Sequence, residues 1–347
     1  MAWQFWRSGR GRKAREAAAE PAPAPVAASS PLESPEALLR RLEWTVLRRL
    51  DGVLQGDWRT FLRGSGVDLA DLREYQPEDD VRHIDWNVTA RLQSPHVRLF
   101  LEDRDLTAWF LLDLSGSLDF GSAGRSKREV SAGFVGALAR VITRHGNRVG
   151  AMFYGQRLEG VLPPAASRQH VLTLLQRLRQ PASAASPAGT RLADLLQAAE
   201  GVVKRRSLLV VVSDFISQPG WAQSLSRLSR RHDVIVVRLL DAAEADLPDL
   251  GLATFQDAET GEQLFIDAAD PAFRQRYRAI AERQEAELRA WLAGSGADVL
   301  ELATEDDLLE AMMRFADLRR QKARLKSLSR LPVSFHRAWP LPQEGRP

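Results

Sequence analysis

Residues 108–117 have the sequence AWFLLDLSGS, an apolar run that ends in one acid and two serines. The run Ala108–Leu112 predicts a buried strand, and Asp113, Ser115 and Ser117 fall in the turn that leaves it. In an α/β sheet this turn lies at the carboxyl edge, where ligands bind. Carboxylate and hydroxyl oxygens are hard ligands, which suit Mg²⁺ or Mn²⁺ better than zinc. The stretch therefore predicts a cation site at the end of a core strand.

Two further positions carry the same kind of oxygen ligand. Thr190 precedes the helical run Leu192–Lys204, and Asp214 follows the apolar run Leu208–Ser213. Any one of these side chains alone is explained by helix capping or by hydrogen bonds within a turn. All of them in this order favour a single site instead. The predicted ligand set is Asp113, Ser115, Ser117, Thr190 and Asp214.

The order D-x-S-x-S, then Thr, then Asp after a second apolar strand resembles the metal-ion-dependent adhesion site of von Willebrand factor A domains. The resemblance covers residues 106–303. It implies that Asp113, the two serines and Thr190 bind the ion directly, and that Asp214 acts mostly through water. Only two carboxylates stand near the cation, so it keeps residual positive charge. The resemblance therefore implies that the ion, Mg²⁺ or alternatively Mn²⁺, accepts an acidic residue of a client protein.

A second signature lies upstream, in Asp71–Asn87 and the following Ala90-Arg91. It resembles the hallmark block of the family called domain of unknown function 58, whose members join this block directly to a von Willebrand A-like domain. That resemblance spans residues 50–300 and implies a MoxR-type AAA+ ATPase as partner, because bacterial members recur beside such ATPases. The residues that carry it are Arg73, Tyr75, Asp80, Arg82, Asp85, Trp86 and Arg91.

The upstream block has two open interpretations. Pro77 stops any helix there, and Tyr75 and Trp86 are predicted to pack an ordered loop. In the favoured interpretation the loop is a structural clamp, in which Arg73, Arg82 or Arg91 pairs with carboxylates. The alternative is that the block contacts a partner protein, since loops of this kind carry function. His83 has no other histidine at ligand spacing, and we interpret it as structural.

Composition limits the classes of protein to consider. The chain has 347 residues, 44% hydrophobic and 27% charged, with no cysteine and a net charge of +3. The absence of cysteine excludes disulfides and thiolate chemistry. A charge so near balance gives weak support for nucleic acid binding, so no nucleic acid partner is expected. No apolar run is long enough to span a membrane. We expect a cytoplasmic protein, with peripheral contact at the inner membrane through Trp3, Phe5 and Trp6 as an alternative.

Strand and helix patterns alternate along most of the chain. They predict an α/β fold with a doubly wound, mostly parallel sheet flanked by helices, preceded by a small extended N-terminal region. A helix is predicted over Leu38–Leu50, irregular or extended chain over 51–105, and a last helix over 305–328. Its basic end, Arg319–Lys326, is interpreted as a solvated face, and Pro332–Pro347 as a loosely ordered tail. The predicted divisions are 1–35 (disordered basic tail and Ala/Pro linker), 36–105 (signature region), 106–303 (von Willebrand A-like domain) and 304–347 (C-terminal helix and tail).

Motifs for catalysis are absent from the sequence. It contains no phosphate-binding P-loop, no strand followed by G-x-G-x-x-G, and no G-x-S-x-G elbow around Ser115. No histidine is placed to act as a base for the two serines. We therefore predict a non-catalytic, Mg²⁺-dependent binding module that acts as an adaptor or co-chaperone of a MoxR-type ATPase. The alternatives are a metal-dependent hydrolase that uses the same site and a basic nucleic-acid-binding protein.

Overall fold

The computed structural model describes residues 34–47, 72–76, 81, 84–98, 107–122, 124–180, 190–245, 247, 249, 251–256, 262–324 and 334–335. The predicted tail and linker, 1–35, lie outside this part except for their last two residues. No helix within these ranges combines the length and the apolar character needed to cross a bilayer.

A seven-stranded sheet forms the centre of the structure. The described strands are β1 (Leu72–Glu74), β2 (His96–Arg98), β3 (Thr107–Asp113), β4 (Arg148–Tyr154), β5 (Leu158–Ala165), β6 (Leu208–Ser213), β7 (Asp233–Leu240), β8 (Leu252–Gln256), β9 (Gln263–Asp267), β10 (Asp298–Ala303) and β11 (Ser334–Phe335). The order in the central sheet is β11-β10-β7-β6-β3-β4-β5. All neighbours run parallel except β5, which pairs antiparallel with β4. The predicted mostly parallel α/β sheet is confirmed.

Helices connect the strands and cover the sheet. They are α1 (Pro35–Leu42), α2 (Trp86–Leu92), α3 (Lys127–Arg144), α4 (Arg168–Leu178), α5 (Leu192–Val202), α6 (Trp221–Arg231), α7 (Ala242–Ala245), α8 (Pro271–Gly294) and α9 (Leu308–Arg324). Polar residues cap the N-termini of several of these helices. Ser126 and Glu129 form a reciprocal capping box at α3, and Asp270 caps α8 just before its first-turn proline. Such caps satisfy backbone N–H groups that have no partner within the helix.

The two faces of the sheet carry separate apolar cores. Along β3, Phe110 and Leu112 pack with residues of α3, α4 and α9 on one face. Trp109 and Leu111 alternate with them and pack with residues of α5 and α6 on the other. This alternation follows from the two-residue period of a strand. Because helices cover both faces, β3 and β6 are continuous apolar runs, as buried parallel strands usually are.

The N-terminal signature region is more regular than predicted. Within 51–105, predicted as irregular or extended chain, β1 and β2 pair antiparallel and the unpredicted helix α2 lies between them in sequence. Asp85 starts this helix because its carboxylate accepts the backbone N–H groups of Asn87 and Val88, at 3.0 and 3.3 Å. Gln93 ends the helix in the left-handed conformation, with φ of 54°. The predicted helix Leu38–Leu50 corresponds to α1 and a following π-helical turn, Glu43–Leu47, and its last three residues lie outside the described part.

The chain beyond residue 303 joins the same core. Met312 and Phe315 of α9 are buried among the apolar residues that cover one face of the sheet. Arg319 is 3% exposed and pairs with Asp233 and Asp298, so the prediction of a solvated basic face is wrong at this residue. Ser334–Phe335 add a parallel strand beside β10, where a loosely ordered tail was predicted. The division between 106–303 and 304–347 stays a prediction.

A buried ion cluster attaches α8 to the sheet. Arg238 of β7 donates to Glu285 of α8 at 2.5 and 2.7 Å and to Glu301 of β10 at 3.0 Å. Arg289 of α8 pairs with both acids. The side chains of Arg238, Glu285 and Glu301 are 8%, 5% and 0% exposed. Removing one charge from such a group leaves the others without compensation in a dry interior.

We expect Arg238→Ala to lower the free energy of unfolding by about 3–5 kcal/mol, because it leaves two buried carboxylates with only Arg289 to balance them among the described contacts of the cluster. The matched control is Arg314→Ala, which removes an arginine from the pair with Glu310, where both side chains are 59% exposed. That exposed pair is worth roughly 0–1 kcal/mol. Urea unfolding of both variants measures the difference. Equal losses would contradict a stabilising role for the cluster.

Candidate metal centre

The predicted cation site lies where the strand order of the sheet reverses. From β3 the chain crosses to β4 on one side, and it later returns to place β6 on the other side of β3. In open α/β sheets, ligands bind in the crevice outside the carboxyl ends of strands at this switch point. Asp113 is the last residue of β3, and Asp214 directly follows β6. The topology therefore brings the two predicted carboxylates to the same crevice.

Asp113 is held from both of its carboxylate oxygens. Its Oδ1 accepts the backbone N–H of Ser115 at 2.9 Å, and its Oδ2 accepts the hydroxyl of Ser213 at 2.6 Å. The side chain is almost fully buried. Burial, followed by the negative charge of Asp214, raises the pKa of Asp113 to about 6, and the hydrogen bonds offset only part of this. The carboxylate of Asp113 therefore lies near another negative charge, and a divalent cation would supply the positive charge that compensates for both.

The two predicted serine ligands lie next to each other. Ser115 and Ser117 are both buried, and their Oγ atoms lie 3.0 Å apart. Two adjacent oxygens of an octahedral Mg²⁺ site, each about 2.1 Å from the ion, are also about 3.0 Å apart. The hydroxyl pair therefore has the spacing that the predicted site requires. The 3₁₀ turn Gly116–Asp119 sets this spacing, because it brings Ser117 back beside Ser115.

Asp214 is already engaged by a cation of the protein. Its Oδ2 accepts Nζ of Lys127 at 2.6 Å, and its Oδ1 accepts the backbone N–H of Ile216 at 3.0 Å. Lys127 is fully buried and also donates to Glu244 at 2.6 Å. Although burial by itself lowers the pKa of Lys127, the two carboxylates raise it overall. The lysine therefore stays charged, and its ammonium group lies between Asp214 and Glu244 beside the site.

Thr190 lies beside the loop that follows Asp214. Its backbone carbonyl accepts the hydroxyl of Ser217 at 3.1 Å and the backbone N–H of Gln218 at 3.0 Å, and the residue is buried. The sequence-predicted ligands Asp113, Ser115, Ser117 and Asp214 thus share one crevice with the segment that carries Thr190. Direct coordination by the threonine hydroxyl stays a prediction.

Arg128 contacts the backbone of the serine loop, the segment 114–119 that carries Ser115 and Ser117. Its Nη2 donates to the backbone carbonyls of Leu114 and Ser115, at 3.3 and 3.2 Å, and its Nε pairs with Asp119. Sequence reasoning missed both Arg128 and Lys127. Two adjacent cations in the first turn of a helix are the signal that was available, because the helix dipole disfavours positive charge there.

The described residues of the upstream block have positions and contacts unrelated to the predicted cation site. Asp85 acts as the cap of α2, and Tyr75 is half-buried. Trp86 is 70% exposed, so the prediction that it packs an ordered loop is wrong: as the first residue of α2 it faces solvent. Arg91 is also exposed. The predicted residues Asp80, Arg82 and His83, and the side chain of Arg73, lie outside the described residues.

The donor chemistry of the crevice excludes a soft-metal centre. The chain has no cysteine. Among the described residues, no three His, Asp or Glu side chains are grouped as a metal site. A cation here would rely on two carboxylates, neutral hydroxyls and water. That set fits Mg²⁺ or Mn²⁺, since Mg²⁺ commonly keeps several waters and takes only one or two carboxylates from the protein.

Comparison with known families assigns the chain. A family model described as "Protein of unknown function DUF58" matches residues 71–287. The chain belongs to the DUF58 family. Relatives of this DUF58 protein include the uncharacterized proteins Rv1480 of Mycobacterium tuberculosis and Mb1516 of Mycobacterium bovis. Each is 38% identical to it over 289 residues, which is 83% of this chain and 90% of the relative.

Solved structures resemble this DUF58 protein only in part. The conserved hypothetical protein BatB of Bacteroides thetaiotaomicron is 14% identical, with a TM-score of 0.41, and the match covers 62% of this chain and 99% of BatB. A von Willebrand factor type A protein from Catenulispora acidiphila is 12% identical, with a TM-score of 0.35, over 63% of this chain and 43% of that one. The interpretation of the site therefore depends on the residues of the DUF58 chain itself.

We expect Asp113 to make the metal-free protein less stable as the pH rises from about 4 to about 6. The folded-state pKa, about 6 against an ordinary 3.8, means that the folded protein binds this proton more tightly than the unfolded chain. The lost stability is roughly 2–3 kcal/mol above pH 6. Asp113→Asn keeps an acceptor for Ser115 and a group that hydrogen-bonds Ser213, and it should remove this loss.

Urea unfolding in chelator at pH 4.5 and pH 7.5 measures this effect. The difference between wild type and Asp113→Asn isolates the residue from other groups that titrate. Glu310→Gln, an exposed acid of α9, is the control and should follow wild type. An asparagine variant with the same pH dependence as wild type would contradict the assignment.

Proposed function

We propose that this DUF58 protein is a non-catalytic binding module whose divalent cation, Mg²⁺ or alternatively Mn²⁺, accepts an acidic side chain of another protein. The observation that supports this most directly is the pairing of buried Asp113, with its raised pKa, and two serine hydroxyls 3.0 Å apart at the switch point of the sheet. When bound, the cation would supply an open coordination position to a carboxylate.

The residues of the crevice have distinct roles in this proposal. Asp113, Ser115, Ser117 and Thr190 hold the ion. Asp214 already forms an ion pair with the ammonium group of Lys127, which supports a role through water. Lys127 also neutralises part of the local negative charge. The cation would consequently keep net positive charge toward solvent, and that favours an acidic partner group.

The proposed partner is a MoxR-type AAA+ ATPase, with this chain acting as its adaptor or co-chaperone in the assembly or maturation of another protein complex. The partner assignment rests on the resemblance of the upstream block to domain of unknown function 58. Within the described part of that block, Trp86 and Arg91 are exposed and therefore accessible to a partner. The predicted clamp pairs of Arg73 and Arg82 lie outside the described side chains, so the clamp and the partner contact both stay predictions.

A metal-dependent hydrolase is the second candidate, and the raised pKa of Asp113 is the observation that favours it. A carboxylate that titrates near pH 6 suits a general base. Against this, both oxygens of Asp113 already accept hydrogen bonds from Ser115 and Ser213. Turnover of phosphoester or peptide substrates that is lost in Asp214→Ala would favour the hydrolase.

Magnesium should raise the melting temperature of wild type and leave that of Asp113→Asn unchanged. A ligand that binds only the folded state stabilises it by roughly 2.7 kcal/mol at a hundredfold excess over its Kd. Thermal unfolding with Mg²⁺, with Mn²⁺ and with chelator measures this shift. No shift in wild type would contradict a cation site in the isolated protein.

Binding of a purified MoxR-type ATPase from the same organism should need both Mg²⁺ and Asp113. We expect capture by wild type and by the surface control Glu310→Gln, and loss of capture with chelator or in Asp113→Asn. Equal capture by the asparagine variant would show that the metal does not mediate this contact. Binding that instead falls steeply with added salt and persists in chelator would point to charge-driven association.

A further inference from the structure

The buried lysine beside the crevice is in an unfavourable place for a cation. Lys127 is the first residue of α3, and it is fully buried. The helix dipole disfavours positive charge in the first turn, and burial adds a desolvation cost. Two ion pairs at 2.6 Å, to Asp214 and to Glu244, offset these costs. The lysine is therefore shared between a predicted metal ligand and an acid outside the predicted ligand set.

Glu244 belongs to a network that fixes its position. It lies on the short helix α7, directly after β7, and its Oε2 accepts the backbone N–H of Asp241 at 3.3 Å. Asp241 in turn accepts the backbone N–H and the hydroxyl of Ser122 and the hydroxyl of Thr304. These hydrogen bonds connect the loops that follow β3, β7 and β10. Glu244 is thus held as a fixed countercharge for Lys127.

We infer that the fixed positive charge of Lys127 lowers the metal affinity of the crevice, and that the negative charge of Glu244 offsets part of this effect. The inference rests on the proposed function. The lysine shares Asp214 with the divalent ion, so its charge opposes metal binding. Glu244 pairs with the same ammonium and cancels part of that opposition. Both are positioning residues, because they act on the ion through charge and through Asp214.

This arrangement predicts opposite effects for the two residues. Replacing Lys127 by an uncharged residue removes a repulsive charge near the ion and leaves Asp214 free for it, so metal binds more tightly. Replacing Glu244 removes an attractive charge and leaves the ammonium to Asp214 alone, so metal binds more weakly. A unit charge within about 7 Å of a divalent ion changes its affinity by about tenfold or more. A purely structural role would weaken binding in both variants.

Calorimetric titration of the full chain with MgCl₂ and with MnCl₂ at pH 8 tests the inference. We expect Lys127→Met to lower the Kd and Glu244→Gln to raise it, each by about tenfold. Lys127→Arg, which keeps the charge, should stay close to wild type. Arg314→Met and Glu310→Gln make the same charge changes at an exposed ion pair of α9 and should leave the Kd unchanged.

The outcomes separate this inference from the proposed function. Weaker metal binding by Lys127→Met, or unchanged binding by Glu244→Gln, would overturn the inference. The proposed site would still stand if wild type binds the metal and Asp113→Asn does not. Absence of metal binding by wild type would overturn both. If Lys127→Met does not fold by circular dichroism, Lys127→Gln takes its place, because it also removes the charge while keeping a group that can donate hydrogen bonds to Asp214 and Glu244. Weaker metal binding by Lys127→Gln than by wild type would then overturn the inference.

Discussion

Two carboxylates held side by side at the end of neighbouring buried strands are the constraint on which the site depends. β3 and β6 are adjacent and parallel, so Asp113 and Asp214 emerge at the same edge of the sheet. Helices cover both faces, which keeps these acids away from bulk water. Their repulsion and burial raise the pKa of Asp113. Ser115 and Ser213 donate hydrogen bonds to Asp113, and Lys127 supplies positive charge to Asp214.

The start of α3 supplies much of that compensation. Lys127 and Arg128 enter the interior from adjacent positions of the same turn, one toward Asp214 and the other toward the serine loop. The capping box of Ser126 and Glu129 fixes the start of the helix, and its acid offsets part of the unfavourable dipole interaction. One helix terminus thus positions both halves of the crevice. This rigidity is what a preorganised cation site requires.

The α/β fold could be predicted from the alternation of strand and helix patterns. The position of Asp113 and Asp214 at the ends of adjacent strands could be predicted from apolar runs that end in an acid. The capping role of Asp85 and the helix after it were missed because seven residues are too few to show a helical period. The long-range pairs of Lys127 with Glu244 and of Arg319 with Asp233 were beyond sequence patterns, since they join residues 86 or more positions apart. The exposure of Trp86 was predicted wrongly because an aromatic residue favours burial only when a core is within reach.

The central claim is that a divalent cation binds between Asp113 and the hydroxyls of Ser115 and Ser117. A crystal structure of the full chain grown with Mn²⁺, with anomalous diffraction data, tests it most directly. We predict an anomalous peak within coordination distance of both serine Oγ atoms, and none there in crystals of Asp113→Asn. A crevice without the peak in wild type, or with Lys127 Nζ at the predicted ion position, would contradict the account.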